Sequence, residues 1–254
     1  MSGRRVVITG GGSGIGLCLA RRFAAAGDRV ALCDSDRDAV ARAAADLPGV
    51  IARLADVTDS AQMDAFLSEV DAEWGGADVV CANAGTGGPA GRIEDLDYEA
   101  WRACLDVNLN GAFLTCRWAA RRMRAQGSGL ILITSSTSGL HGVPCRSPYV
   151  AAKWGLVGLM KTLAMELGPA GVRVNAIAPG AVEGDRMEHV LAMEAQANGV
   201  HPDEVRTFYA SANSLRSWVT ADDLADMALF LASPGAGRIS GQVMAVDGHT
   251  ERMV

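Results

Sequence analysis

The 254-residue chain is predicted to fold as an α/β protein around one parallel sheet. Three observations predict this: apolar runs of strand length recur along the chain, segments with helical periodicity separate them, and a glycine-rich turn follows the first run. Strands are expected near residues 5 to 9, 29 to 33, 50 to 54, 78 to 82, 129 to 134, 172 to 177 and 242 to 246. With 49% hydrophobic and 20% charged residues, a chain of 254 residues can bury a sizeable core. No Pro-, Ser- or charge-rich linker, solenoid-period repeat or low-complexity tract divides it, so residues 1–254 are read as a single domain.

The first strand, Val6-Val7-Ile8, leads into Thr9-Gly10-Gly11-Gly12-Ser13-Gly14-Ile15-Gly16 and then a helical pattern at Leu17, Leu19, Ala20, Phe23 and Ala24. Glycines let the backbone turn sharply and approach a ligand without Cβ clashes, and a helix N-terminus offers unpaired N–H groups to a pyrophosphate. The implied ligand is a dinucleotide. The spacing is Gly-x-x-x-Gly-x-Gly rather than Gly-x-Gly-x-x-Gly, so on this motif alone a plain strand-to-helix turn stays open. The second strand, Arg29 to Cys33, ends at Asp34, where a carboxylate can accept hydrogen bonds from an adenosine ribose and repel a 2′-phosphate. Asp36 and Asp38 deepen that negative field and Arg37 is the one nearby cation, which favours NAD over NADP. The competing role for Asp34 is to cap the next helix.

Between the third and fourth strands, Met63, Phe66, Leu67, Val70 and Trp74 recur with helical period and give one apolar stripe to lie on the sheet. A long helix follows around 101 to 123, but Asp106-Val107-Asn108-Leu109-Asn110-Gly111 within it is rich in helix-weakening residues, so a local break is expected there. The helix from Tyr149 to Leu167 is apolar nearly all round, carrying Trp154, Leu156, Val157, Leu159, Met160, Leu163, Met165 and Leu167, and needs cover on both sides. Four residues on a helix amount to about 40° of net rotation, which sets the Tyr149 phenol beside the Lys153 ammonium. A cation beside a phenol favours the phenolate, and such a pair can exchange a proton with an alcohol. The segment from 181 to 218 has no steady period, mixes Met187, Val190, Met193, Phe208 and Tyr209 with polar residues, and is read as a mobile substrate lid before the last helix.

Taken together, these residues resemble the short-chain dehydrogenase/reductase family from Val6 to Gly248, with its motifs in order. The glycine motif runs from Thr9 to Gly16; Asp56-Val57 is similar to the pair that meets the adenine; Asn83-Ala84-Gly85 resembles the segment after the fourth strand. Asn108 matches the family's active-site asparagine, Ser136 lies thirteen residues before Tyr149, and Pro179-Gly180 matches the turn beside the nicotinamide. The resemblance implies a Rossmann-type doubly wound sheet of about seven strands, an oxidoreductase acting on CH–OH groups, and coenzyme contacts at Gly10, Ser13, Gly14, Ile15, Gly16, Asp34, Asp56, Val57, Asn83, Ala84, Gly85, Tyr149, Lys153, Pro179, Gly180 and Val182.

The reaction it implies is hydride transfer between a secondary alcohol and its ketone. Tyr149 would act as acid/base, Lys153 would favour the tyrosinate and hold the nicotinamide ribose, Ser136 would hold the substrate oxygen, and Asn108 would anchor a water leading to solvent. Family members commonly pair the helices around 101 to 123 and 149 to 167 with a second subunit, so a homodimer or, preferentially, a homotetramer is expected. Two departures stand out. Pro179-Gly180-Ala181-Val182-Glu183-Gly184 lacks the threonine that often follows Pro-Gly and contacts the carboxamide, leaving backbone near Val182 to do so; and Val246-Asp247-Gly248-His249 lacks a second glycine. His249 has no role assigned by sequence.

Arg146 and Arg186 could together clamp an anionic substrate group, since guanidinium forks suit carboxylates, sulfonates and phosphates; a plain surface role for Arg146 competes. The formal charge of −6 argues against a nucleic-acid surface, and Arg117, Arg121, Arg122 and Arg124 read as a solvated helix face. Cys18, Cys33, Cys81, Cys104, Cys116 and Cys145 show no paired spacing and look like buried thiols of a reducing cytosol. His141, His189, His201 and His249 lack ligand spacing, so no metal is expected. The apolar run after Arg4-Arg5 stops at Thr9, too short for a signal peptide or membrane span, and a cytoplasmic location is expected. Two alternatives remain: an NADPH-dependent 3-oxoacyl or ketone reductase, which Asp34 disfavours, and a nucleotide-sensing or scaffold protein without turnover, against which the four intact catalytic positions speak.

Overall fold

Seven parallel strands line up in the order β3-β2-β1-β4-β5-β6-β7: β1 Arg5–Thr9, β2 Arg29–Asp34, β3 Ile51–Leu54, β4 Val79–Ala82, β5 Gly129–Thr134, β6 Val172–Pro179 and β7 Val243–Val246. The computed structural model describes residues 3–250, with side chains for all of these but Arg186, Ala197 and Asn198. Each expected strand is present, with ends displaced by up to two residues. From β1 the chain steps outwards through β2 to β3, then returns to the other side of β1 with β4. This reversal opens a crevice at the carboxyl ends of β1 and β4, where ligands of doubly wound sheets bind.

Alternation along the strands sends side chains into two layers. Val7, Val80, Ile131 and Ile133 join the layer covered by α3 (Ser60–Trp74), α5 (Gly111–Gln126) and α6 (Ser147–Leu167). Val6, Ile8, Leu32, Leu130 and Leu132 join the opposite layer, covered by α1 (Gly14–Ala25), α2 (Arg37–Asp46) and α9 (Ala221–Leu231). The expected stripe of α3 is realised, with Met63, Phe66, Leu67 and Val70 all buried. Asp59 caps α3 by accepting from the N–H groups of Ala61 and Gln62, and Gly75, at φ 70°, ends it in the left-handed region that glycine tolerates.

The break expected near Asn108 is a π-helical turn, Asp106–Asn110, joining α4 (Tyr98–Leu105) to α5. Gly111 N donates to Asp106 O, the five-residue step of a π turn. Meanwhile the side chain of Asn108 takes the carbonyl of Cys104 at 2.9 Å. The widened turn is thus held by a side chain that the break itself points inwards.

The segment 181–218, which lacks a steady sequence period, is not irregular: it contains α7 (Asp185–Asn198) and α8 (Pro202–Ser211). Their apolar residues are few and form a separate small cluster of Leu191, Ala195 and Val205 with Met187, Tyr209 and Trp218. Local signals do mark them, since Gly199 closes α7 at φ 67° and a reciprocal cap between His201 and Glu204 opens α8 beside Pro202. The two ends of the excursion are tied together by a parallel bridge between Val182 and Val219. Cys33, Cys81, Cys104 and Cys116 are buried as expected, whereas Cys18 is half-buried and Cys145 is exposed at φ 60°. Burial pushes the Cys33, Cys81 and Cys116 thiols up to about 12. Among the described residues no helix is long and apolar enough to cross a membrane.

Candidate active site

β1 delivers Thr9 to the crevice, and the turn after it is packed so tightly that two glycines are obligatory. A Cβ on Gly10, which sits at φ 62°, would come within 2.8 Å of Ala84 Cα, and one on Gly16 would come within 1.9 Å of Gly10 O. The neighbouring strand ends are stapled by Asn83: its N–H donates to Thr9 Oγ1 at 3.1 Å, its Nδ2 donates to the Thr9 and Gly10 carbonyls at 3.1 and 3.2 Å, and its Oδ1 accepts from Thr134 Oγ1 at 3.1 Å.

At the start of α1 the N-cap Ser13 makes no side-chain cap, the first turn carries no acidic residue, and Gly14, at φ 48°, has no heavy atom within 4 Å of where a Cβ would stand. The first-turn N–H groups and the positive end of the helix dipole therefore face a bare backbone ledge, which suits an anion. Beyond it, Asp34 accepts from Gly12 N at 3.0 Å and from Asp36 N at 3.1 Å. The capping role that competes for Asp34 belongs instead to Asp36, which accepts from the N–H groups of Asp38 and Ala39 at the start of α2. Asp56 follows β3 and accepts from both the N–H and the hydroxyl of Thr58 at 2.8 Å. The glycine ledge, the helix terminus and the Asp34 carboxylate at the end of β2 together fit a dinucleotide.

A cleft of about 470 Å³ runs along these strand ends, and every candidate coenzyme contact lines it: Gly10, Ser13, Gly14, Ile15, Gly16, Asp34, Asp56, Val57, Asn83, Ala84, Gly85, Tyr149, Lys153, Pro179, Gly180 and Val182. Ser136 and Arg146 line it as well. Lys153 is buried on α6, its Nζ donating to Thr134 O at 2.9 Å and standing 5.4 Å from the centre of the half-buried Tyr149 ring. Ser135 Oγ donates to the backbone carbonyl of Lys153 at 3.1 Å, tying α6 to the end of β5. Ser136 Oγ accepts from Ser138 N at 3.1 Å. That bond engages an oxygen lone pair and leaves the hydroxyl proton to be donated elsewhere.

Asn108 lies behind the cleft rather than on its wall, fully buried. Its Nδ2 donates to Thr86 O at 3.0 Å and Cys104 O at 2.9 Å, and its Oδ1 accepts from Thr86 N at 3.3 Å. A Cβ on Gly85 would stand 2.8 Å from Asn108 Oδ1 and 3.5 Å from Lys153 Nζ, so glycine at 85 keeps side-chain bulk out of the space between amide and ammonium.

Arg146 is not a surface residue. Only 9% exposed, it donates from Nη2 to Gly87 O at 3.0 Å and sets its guanidinium 5.3 Å from the Tyr149 ring centre, while its buried Nε has no hydrogen-bond partner. Arg186 stands in α7, and its side chain lies outside the described residues. The sequence reading missed Glu194, which lines the cleft and whose two oxygens accept from Tyr209 Oη at 2.9 and 3.1 Å. These residues are fifteen apart on different helices, so no local spacing betrays the pair. His249, without a role by sequence, contacts Ser214 Oγ through Nδ1 at 2.6 Å, and Ser214 N donates to His249 O at 3.1 Å. It fastens the chain after β7 to the turn that follows α8.

Known proteins resemble the chain along nearly its whole length. The family model described as enoyl-(acyl carrier protein) reductase matches residues 10–249. Levodione reductase of Leifsonia aquatica is 34% identical over 252 residues, covering 96% of this chain and 93% of that protein. D-beta-hydroxybutyrate dehydrogenase of Rhizobium meliloti (strain 1021) is also 34% identical over 252 residues, covering 96% of this chain and 97% of that protein. A crystal structure of NAD+-bound xylitol dehydrogenase shares the fold with a TM-score of 0.94 at 26% identity, covering 97% of this chain and 98% of that one. With its glycine turn, its strand-end cleft and these relatives along nearly its whole length, the chain is an oxidoreductase belonging to the short-chain dehydrogenase/reductase family.

Proposed function

We propose that the protein interconverts a secondary alcohol and its ketone with a nicotinamide dinucleotide, NAD in preference to NADP. The observation that carries this reading is the meeting of Tyr149, Lys153 and Ser136 in one cleft with the glycine ledge and Asp34. The names of the two relatives, a reductase and a hydroxybutyrate dehydrogenase, support the same reaction class.

When bound, the nicotinamide supplies the acceptor or donor of the hydride. The chain's own residues handle binding and the proton. Gly10 to Gly16 and the α1 N-terminus would hold the pyrophosphate, Asp34 the adenosine ribose, Asp56 and Val57 the adenine, and Asn83 to Gly85, Pro179, Gly180 and Val182 the nicotinamide half. Ser136 Oγ would donate to the substrate oxygen, and Tyr149 Oη would take the alcohol proton in oxidation or return it in reduction. Lys153 Nζ, anchored on Thr134 O, holds positive charge beside the phenol and passes the proton towards solvent through a water on Asn108. Arg146 would face the substrate. The preference for NAD follows from charge, because a 2′-phosphate at Asp34 would meet a carboxylate already fixed by two backbone N–H groups.

A homotetramer completes the proposal. Phe113 on α5 and Trp154 and Met165 on α6 are 47%, 50% and 81% exposed, an apolar face that a second subunit would cover. Light scattering over a concentration series should give a mass above that of the monomer. The activity is tested with purified protein, NAD or NADP, and a panel of secondary alcohols followed by absorbance of reduced coenzyme. Turnover with NAD is expected; coenzyme binding without turnover of any alcohol would favour a sensing or scaffold role.

A further inference from the structure

We infer that the lid-side end of the cleft is a subsite for a second hydroxyl of the substrate, with Glu194 and Tyr209 as specificity residues, so that the preferred substrates are neutral polyhydroxylated alcohols. This deepens the alcohol dehydrogenase reading and rests on it. A second cavity of about 290 Å³ opens beyond the first, and Arg146, Glu194 and Tyr209 are at the junction, lining both together with Thr137, Val143, Gly180 and Ala181.

The hydrogen-bonding capacities at this junction are complementary. Tyr209 has a single hydroxyl proton, and it points at the two oxygens of Glu194 at 2.9 and 3.1 Å. Burial, with the adjoining carboxylate, pushes the Tyr209 phenol well above its usual range, so that proton stays in place. The ring is held by stacking on Trp218, 6.3 Å between centroids at 30°. What the pair offers a ligand is therefore oxygen lone pairs: those remaining on the phenol and on a carboxylate with about four acceptor sites. Arg146 offers the reverse. A guanidinium has donors and no acceptor, and here Nη2 is spent on Gly87 O while the buried Nε has no partner.

A hydroxyl can donate to Glu194 or Tyr209 and accept from Arg146 at once. Charged ligand groups satisfy one side and oppose the other: a carboxylate suits Arg146 but meets Glu194, and an ammonium suits Glu194 but meets Arg146 and Lys153. A purely apolar tail would strip water from the Glu194 carboxylate and the Arg146 guanidinium and return no hydrogen bond in exchange. The remaining class is neutral and hydroxylated.

The test is kcat/KM at saturating NAD for secondary alcohols that share a carbon skeleton: mono-alcohol, vicinal diol, hydroxy acid and amino alcohol, extended to four- to six-carbon alditols. The wild type should favour the diol and alditols over the mono-alcohol by about tenfold to a hundredfold, the worth of one buried polar partner. Glu194→Gln, which removes the charge and adds donors, should shrink that advantage at least severalfold and raise activity on the hydroxy acid. Tyr209→Phe should shrink the advantage through KM more than through kcat. Equal diol advantages in wild type and both variants would overturn the inference, as would a hydroxy acid proving the best wild-type substrate, which would return the cavity to an Arg146 and Arg186 anion clamp. Oxidation of mono-alcohols without a diol advantage defeats the subsite alone, whereas no oxidation of any alcohol with either coenzyme defeats the reaction. In the latter case alditol binding to the protein–NADH complex, followed by Trp218 emission, still reads the subsite: saturable binding weakened in Glu194→Gln supports it, and no binding overturns it.

Discussion

The Lys153 ammonium stands 5.4 Å from the centre of the Tyr149 ring, one helical turn away on α6. It is held there from the sheet, because Nζ donates to the Thr134 carbonyl at 2.9 Å and Ser135 Oγ donates to the Lys153 carbonyl at 3.1 Å. The position of the charge is therefore set jointly by helix geometry and by the end of β5.

Lys153→Met should keep the length of the side chain while removing both the charge and the donor to Thr134 O. Loss of an assisting group in acid/base catalysis is worth about 10²- to 10⁴-fold, so kcat for alcohol oxidation should fall within that range. Steady-state rates at saturating coenzyme check this, and a variant as fast as the wild type would refute the role.

Asp34→Asn keeps one oxygen to accept from either Gly12 or Asp36, whose N–H groups bond different oxygens of the wild-type carboxylate, while removing the negative charge proposed to face the adenosine ribose. The ratio of kcat/KM for NAD over NADP should drop by about ten- to a hundredfold, chiefly through better use of NADP. Coenzyme titrations of wild type and variant measure it; an unchanged ratio would show that Asp34 does not discriminate.

Two glycines of one turn should respond differently to a methyl group. Gly14→Ala meets no atom within 4 Å but must hold φ 48°, so unfolding stability should fall by about 1 kcal/mol. Gly16→Ala would bring Cβ within 1.9 Å of Gly10 O and 2.7 Å of Asn83 Nδ2, so the turn must shift and NADH affinity should collapse. Denaturant melts and NADH fluorescence titrations separate the two effects.

Acid sensitivity should depend on Asp78. Burial alone would raise its carboxyl, but hydrogen bonds from the Arg5 guanidinium and backbone N–H, at 2.6 to 3.0 Å, outweigh burial and hold it below the usual carboxylate range. A group depressed in the folded state stabilises above its unfolded value, near ~4, and loses that contribution as pH falls through the folded value. Asp78→Asn should thus be less stable than wild type at neutral pH, with the gap closing below about pH 4. Urea melts across pH 2 to 7 check this, and a gap that did not narrow on acidification would refute the role of the Asp78 charge.

Much of this was legible in the sequence for a local reason: strands such as Val6-Val7-Ile8 and Gly129–Thr134 are short apolar runs, and the glycines and Asp34 follow them directly. The break at Asn108 was legible as a place, since Asp, Asn and Gly weaken helices, but not as a π turn. Its form depends on the Thr86 carbonyl, which tertiary packing brings to the Asn108 amide beside the local carbonyl of Cys104. The lid helices escaped because three buried residues, Leu191, Ala195 and Val205, make too thin a stripe to show a period. For Arg146 the sequence left a substrate clamp and a plain surface role in competition, and only the fold shows Gly87 O and the Tyr149 ring closing around it. Glu194 and Tyr209 meet only because α7 and α8 pack together.

The most direct test of the account is Tyr149→Phe, assayed with NAD and the best alcohol found in the substrate panel. The ring and its neighbours Arg146 and Lys153 remain, and only the hydroxyl is lost. The account predicts that kcat falls by about 10²-fold or more while NADH affinity stays within about twofold of wild type. Retention of wild-type kcat by this variant would contradict it.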